Sequence, residues 1–310
     1  MMESNNMKPI FIVGCARTGS KLHADILNGH SQLNLVDELH YLAPWWLRRD
    51  FARAAASAGA LKHDNNLSEL LDQMYSGRLA GTFWQPPPAE QRDNPPQTIY
   101  DLDRQQLVAE INQNGRDLRG IFLSLISLQA TSRGKSVAGA KFPVDISQVS
   151  RLLQWFPDAR VIHLVRDPRA IYASMVSMDA RYGVYARDGA RISRRRPLQR
   201  LLYLISRFRH TGRLHRAMAE DPRYFHSSFE RLLEQPEQQI RAMAAFLGVG
   251  FEAAMLGPRI RSSSFGQTGG SEATGFDRAV NERWREHLPK RERQLAEIAL
   301  RRELQQFGYS

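Results

Sequence analysis

Two kinds of apolar run alternate along this chain. Ile10-Phe11-Ile12-Val13 is short and continuous, and residues 161–165 read almost the same way. Such runs suit strands covered on both faces. Between them the apolar positions recur every three or four residues. Residues 21–28 carry Leu22, Ile26 and Leu27 on one helical face, and residues 197–219 keep that period through Leu201, Leu204, Phe208 and Leu214. The same reading predicts strands over 136–140 and 224–228. It predicts helices over 147–156, 169–178, 238–247 and, heavily charged, 290–307. Residues 43–134 are mostly helical but interrupted, with Pro86-Pro87-Pro88 and Pro95-Pro96 marking a surface excursion. The Ser- and Gly-rich stretch 262–275 reads as a mobile loop. Strand, tight turn and helix in succession predict an α/β class, a central parallel sheet flanked by helices. No internal repeat or linker divides the chain, so one domain over 1–310 is expected.

Composition narrows this picture little, and charge adds more. With 42% hydrophobic and 24% charged residues, 310 residues can bury a substantial core, which excludes disordered and low-complexity classes. The single cysteine, Cys15, excludes an intrachain disulfide and a zinc site built mainly from thiolates. There is no apolar run of membrane-spanning length, and the first residues lack the pattern of a signal peptide. The expectation is a cytoplasmic protein with, at most, peripheral membrane association. Arginine outnumbers lysine by 37 to 6, and the net charge is +11. Ten arginines and one acid, Asp188, lie between Arg187 and Arg216. That segment fits an anionic ligand or surface, or a solvated helix face. It lacks interleaved aromatics beyond Tyr203 and Phe208, so no specific nucleic acid is expected.

Two stretches carry candidate chemistry. Gly14-Cys15-Ala16-Arg17-Thr18-Gly19-Ser20-Lys21 joins the first strand to the first helix. Unpaired N–H groups and the helix dipole make such a junction an anion cradle. Glycines let the backbone curl close to a phosphate, and the hydroxyls of Thr18 and Ser20 add donors. The glycines match the nucleotide-triphosphate loop G-x-x-x-x-G-K-[ST], but Ser20-Lys21 reverses the required Lys-Ser order, and the cation inside the loop is Arg17. In the second stretch, a buried strand ends at Arg166, Pro168 opens a helix, and Ser174 follows in that helix. Arg166 and Ser174 can reach one tetrahedral anion above the strand ends. Asp167 reads as a helix cap.

Together these stretches resemble the PAPS-dependent sulfotransferases, bacterial type, near the tyrosylprotein and carbohydrate branches. The resemblance includes Phe156-Pro157-Asp158-Ala159-Arg160, Ser228-Phe229-Glu230-Arg231-Leu232-Leu233, Phe246-Leu247-Gly248, Ser262-Ser263-Ser264-Phe265 and Arg283-Trp284. It covers most of the chain, excluding about 45–135 and 180–220, which read as variable, mainly helical insertions on the acceptor side. It implies a fold like that of the P-loop kinases and a loop 14–21 that holds the 5′-phosphosulfate of 3′-phosphoadenosine 5′-phosphosulfate (PAPS). It also implies Arg166 and Ser174 at the 3′-phosphate and Phe229 at the adenine. Thr18, Lys21 and Phe229 replace commoner Ser, Thr or Ser, and Tyr.

The implied reaction passes a sulfuryl group in line to a hydroxyl or amine on a small-molecule, carbohydrate or lipid acceptor, leaving PAP. Such a transfer depends on positioning and charge stabilisation, with no metal required where cations line the site. Arg17 is placed for the leaving phosphate, and Lys141 resembles the second catalytic cation. The resemblance puts the base at Glu38, with Asp37 and His40 as neighbouring rivals. The alternatives are a nucleotide kinase-like enzyme, which would need magnesium-dependent ATP turnover, and a basic nucleic-acid-binding protein.

Overall fold

The structure, a computed structural model, describes residues 8–36, 41–42, 51–76, 102–142, 146–182, 197–260, 273–274 and 276–309. The first apolar run is strand β1 (Ile10–Gly14), followed by helix α1 (Ser20–Asn28) and strand β2 (Leu33–Val36). Four helices come next: α2 (Phe51–Ala58), α3 (Asp64–Tyr75), α4 (Arg104–Asn114) and α5 (Leu118–Ser132). The second α/β portion runs through β3 (Val137–Phe142), α6 (Val149–Trp155), β4 (Arg160–Val165), α7 (Pro168–Tyr182), α8 (Pro197–Met218) and β5 (Tyr224–Ser228). It closes with α9 (Phe229–Glu234), α10 (Pro236–Leu247), the short strands β6 (Arg259–Ile260) and β7 (Ala273–Thr274), and helices α11 (Trp284–His287), α12 (Lys290–Ala299) and α13 (Arg301–Phe307).

Five strands form one parallel sheet in the order β2-β3-β1-β4-β5. Side chains alternate across a strand, and the burial follows that alternation. Ile10, Ile12, Ile162 and Leu164 face α1, α9 and α10 with Leu27, Leu232 and Ile240. Phe11, Val13 and Val161 face the opposite layer, where α2 to α6 contribute Phe51, Leu71, Phe122 and Leu152. Val165 continues that layer toward Ile171, Phe208, Trp284 and Leu300 of α7, α8 and the C-terminal helices. Every central strand is thus covered on both sides, as its continuous apolar run requires.

The predicted α/β class holds, and the strands over 136–140, 161–165 and 224–228 are present within a residue or two. Three local readings change. Leu33–Val36 is an edge strand that four residues containing Asn34 did not announce. The C-terminal helix breaks at Leu300, whose backbone leaves helical geometry (φ −114°, ψ 15°) while its side chain is fully buried. Of the loop predicted over 262–275, Ala273–Thr274 pairs antiparallel with Arg259–Ile260, and its other residues lie outside the described ones. Among the described residues no helix is long and apolar enough to cross a membrane.

Candidate functional site

The strand registers gather the candidate residues at one edge of the sheet. Gly14, the last residue of β1, pairs with Leu164 of β4, and Ile12 pairs with Lys141 of β3. Val165 pairs with Ser228 of β5. Lys141, the loop after Gly14, Arg166 and Phe229 therefore follow one another along the carboxyl ends of β3, β1, β4 and β5. The chain leaves β1 toward β2 and leaves its neighbour β4 toward β5, in opposite directions, and such a point is where open α/β sheets take ligands.

The loop between β1 and α1 is curled by two residues in the left-handed region, Arg17 (φ 75°) and Gly19 (φ 82°). Gly19 is suited to that conformation, whereas Arg17 is a side-chain-bearing exception that the surroundings must hold. A Cβ at Gly19 would run into the Phe229 ring, and one at Gly14 would lie 2.7 Å from the Leu164 carbonyl oxygen. Both glycines permit close approach as well as turning. Ala16, Arg17 and Gly19 are partly open to solvent, whereas Cys15, Thr18 and Ser20 are buried. The Thr18 hydroxyl donates to the Cys15 carbonyl at 2.8 Å, so it braces the turn from inside instead of adding a donor for a ligand, as its hydroxyl was expected to do. Cys15 lies 3.3 Å from the Thr211 hydroxyl, and burial pushes its thiol up to about 11. That makes it a small space-filling group rather than a nucleophile. The Lys21 ammonium extends along α1 to Asp25, 3.5 Å away.

Under the loop, His23 is fully buried and braces both neighbours. Its Nδ1 is 3.0 Å from the Gly19 carbonyl, which can only accept, so Nδ1 carries the proton and Nε2 accepts from the Ser227 hydroxyl at 2.9 Å. Burial lowers this imidazole to about 4, so it is neutral at physiological pH.

Arg17 and Ser174 meet directly, Nε donating to Oγ at 3.0 Å. Arg166 is 6% exposed, donates from Nη1 to the Arg17 carbonyl at 3.1 Å and lies over the Phe229 ring, 4.3 Å from its centroid. Its Nε is buried with no hydrogen-bond partner. Burial draws this guanidinium down to about 10, Arg17 adds to the effect, and Glu230 and Asp167 oppose it. Arg166 thus keeps a buried spare donor beside a second guanidinium, and an anionic oxygen would satisfy that donor. PAPS and PAP carry such oxygens in their phosphates, so the residues present fit that ligand class.

Glu230 supports this corner. Its Oε1 accepts from the Asp167 backbone N–H at 2.8 Å, and its Oε2 accepts from the hydroxyls of Ser228 at 3.0 Å and Tyr309 at 2.9 Å. Burial raises its carboxyl above the usual range. Asp167 accepts from the Arg169 backbone N–H at 2.8 Å, the expected cap, and also pairs with the Arg169 guanidinium at 2.8 Å. Arg169 in turn reaches Glu297 at 3.0 Å and lies over Trp284. Behind it, a cleft of about 850 Å³ runs between Arg169, Arg293, Ile298, Arg301 and Tyr309.

The structure thus brings Arg17, Arg166, Ser174 and Phe229 into one contiguous group, with the loop backbone of residues 14–20 beside them. Lys141 is 4% exposed on β3. Glu38 and its rivals Asp37 and His40 lie outside the described residues. The residues on either side are anchored: Val36 ends β2 opposite Ala140, and Tyr41 is fully buried against Phe51 and Phe122. The bracing roles of His23, Glu230 and Tyr309 were not read from the sequence. Glu230 follows Phe229 in the motif 228–233, and nothing local marks Tyr309 as its partner.

The model of the sulfotransferase family matches residues 9–253. A Mycobacterium bovis protein named omega-hydroxy-beta-dihydromenaquinone-9 sulfotransferase Stf3 is 25% identical over 273 residues, 82% of this chain and 66% of that protein. The protein of that name from Mycobacterium tuberculosis aligns to the same extent. The chain spans just under two thirds of the length of these relatives. Among solved structures, the sulfotransferase domain of the Synechococcus PCC 7002 olefin synthase superposes with a TM-score of 0.58 at 20% identity, covering 98% of this chain and 96% of that one. The sulfotransferase domain of the curacin biosynthetic pathway gives 0.52 at 17% identity, with 98% of both chains covered. These superpositions show a shared fold. With most of its length matched by the family model and its architecture shared with two such domains, this chain belongs to the sulfotransferase family.

Proposed function

We propose that this chain transfers a sulfuryl group from PAPS to a hydroxyl on a small, largely apolar or lipid-like acceptor, releasing PAP. The observation that carries the reading is the spare donor at the carboxyl edge of the sheet, where Arg166 holds a buried, unpartnered Nε beside Arg17 and Ser174. The acceptor class draws on the name of the mycobacterial relatives; amine and carbohydrate acceptors are the other arms of the same test.

Each residue then has a task that its surroundings suit. Backbone N–H groups of residues 14–20 and the start of α1 cradle the 5′-phosphosulfate. Arg166 and Ser174 take the 3′-phosphate, and Phe229, already a platform for Arg166, borders the adenine. Arg17 and Lys141 offset the negative charge that grows on the bridging and equatorial oxygens as the acceptor oxygen attacks sulfur and the sulfur–phosphate oxygen bond breaks. Glu38 takes the acceptor's proton. Its place in the chain supports this role: it follows by two residues Val36, the end of β2, whose partner Ala140 precedes Lys141. Arg17, Lys141 and Arg166 supply the positive charge at the reacting end and at the phosphates. Lys21, directed along α1 toward Asp25, gives no support to the kinase alternative, which needs a lysine wrapped back over the loop.

The test is calorimetric titration with PAP and with ATP–magnesium, followed by an acceptor screen with sulfur-labelled PAPS. The expected result is PAP binding at least a hundredfold tighter than ATP and label transfer to an alcohol of the apolar set. ATP binding as tightly as PAP, or magnesium-dependent ATP turnover, would overturn the proposal.

A further inference from the structure

On the far side of the cleft behind Arg169, α8 and the α12–α13 pair form an outer face whose composition is unusual for a water-exposed surface. The helices run side by side in the same direction: Arg209 donates to the Ala299 carbonyl at 3.2 Å, and further along Arg216 reaches Gln306 at 2.5 Å. Leu198 and Leu202 lie 11 and 7 residues before Arg209, which at 3.6 residues per turn puts them on the same stripe, the edge of α8 that borders α12. They are 61% and 56% exposed. On α12, Leu295 and Ile298 are 51% and 76% exposed. These four are the exposed large hydrophobic residues among the described ones, and they occur as two pairs on adjacent helices.

The charges on these helices are sorted by direction. Helix α8 contains no acid at all. In α12 and α13 every acid turns inward: Glu303 is buried, Glu292 and Glu297 are half-buried, and Glu297 is held by Arg169 and Arg293. Lys290, Arg291, Arg301 and Arg302 are exposed, as are Arg209 and Arg213 on α8. A solvated helix face ordinarily mixes both signs. Leucines at the centre with cations around them match an interfacial helix pair, where apolar side chains enter the acyl boundary and cations meet lipid phosphates. A nucleic acid would use the cations but not the leucines.

We infer that the outer face of α8 and α12–α13 is a docking surface for an anionic lipid bilayer. The face holds this chain peripherally at a membrane, with Leu198, Leu202, Leu295 and Ile298 inserted and the outward arginines on the headgroups. The inference is independent of the transfer reaction proposed above.

Co-sedimentation with phosphatidylcholine vesicles, with and without one quarter phosphatidylglycerol, tests it. The protein pellets with the anionic vesicles at 0.1 M salt and stays in solution with the neutral ones. Two variants divide the contributions: one with Leu198→Gln, Leu202→Gln, Leu295→Gln and Ile298→Gln, the other with Arg291→Gln, Arg301→Gln and Arg302→Gln. The first loses at least tenfold in vesicle affinity and the second roughly a hundredfold, at about fivefold per cation. Both keep the parent's unfolding midpoint and PAP binding, since exposed exchanges cost little stability. Three results would each overturn the inference. One is failure of the parent to bind anionic vesicles. A second is undiminished binding by the four-glutamine variant, together with equal affinity for a DNA duplex. The third is a dimer in solution that the same variant converts to monomer.

Discussion

Arg166→Met separates a charge kept for a ligand from one that holds the fold together. The substitution keeps the apolar stem over Phe229 and removes the guanidinium. In the empty protein, burial and Arg17 lower Arg166 from 12.5 to about 10, which corresponds to about 3 kcal/mol spent on keeping the charge there. Against this stand one hydrogen bond to the Arg17 carbonyl, about 1 kcal/mol, and the stacking on Phe229, about 1–2 kcal/mol. Glu230 keeps its donors from Asp167, Ser228 and Tyr309. The two sides nearly cancel, so the unliganded midpoint should move by no more than about 3 °C. PAP binding behaves differently. A hydrogen bond from a charged group to phosphate contributes roughly 1.5–3 kcal/mol, so affinity should fall by about one to two orders of magnitude. At a PAP concentration one hundred times the parent's Kd, ligand stabilises the parent by about 2.7 kcal/mol and a hundredfold weaker variant by about 0.4 kcal/mol. Differential scanning fluorimetry with and without PAP reads both quantities. An unchanged PAP-induced shift refutes the assignment of Arg166 to the ligand. A large loss of unliganded stability refutes the charge reasoning itself.

Gly19→Ala forces a Cβ into the Phe229 ring at a φ of 82°, so PAP affinity should drop at least tenfold with visible destabilisation; parent-like binding would show that the loop and Phe229 do not share the site. Glu38→Gln should lower kcat by about two to four orders of magnitude with PAP affinity unchanged, whereas Lys141→Gln should lower kcat and leave the pH profile's acidic limb in place; rapid-quench assays with labelled PAPS distinguish them. The fold should be acid-sensitive. Burial lowers His23 and His226 to about 4 and holds His163 well below the usual imidazole range, and the buried Nε2 atoms of His163 and His226 have no partner. The unfolded chain therefore takes up these protons first, near pH 6.5, and stability falls as pH drops from there toward 4. The slope approaches about 4 kcal/mol per pH unit for the three groups together. Urea midpoints at pH 7.5, 6 and 5 measure it, and a flat profile would mean that these imidazoles charge in place.

Much of the scaffold was legible because it is local. The run from Ile10 to Val13, the glycine-bearing turn and the first helix are contiguous, and their order specifies a buried strand, a curl and a helix without reference to the rest of the chain. The same holds for the strand that ends at Arg166 and the helix opened by Pro168. The edge strand Leu33–Val36 was missed because four residues with one asparagine carry too little period. Thr18 was read as a donor for a ligand, yet its hydroxyl is committed to the Cys15 carbonyl. Residue type gave the donor, and only the turn's shape decided its direction. The break at Leu300 was hidden because the apolar spacing continues across it, while the burial of Leu300 and Leu304 against α8 requires the change of direction.

The sequence by itself determined the class of fold, the glycine-bearing turn and which cations are available, since each depends on residues close together in the chain. Which cations converge was decided by the strand order. Arg17 meets Ser174 across 157 positions because β1 and β4 are neighbours, and Tyr309 braces Glu230 because α13 closes over β5. Tertiary structure also turned the acids of α12 and α13 inward and left arginines and leucines outside. A side chain's exposure is set by the elements packed beside it, and no stretch of sequence contains its own neighbours.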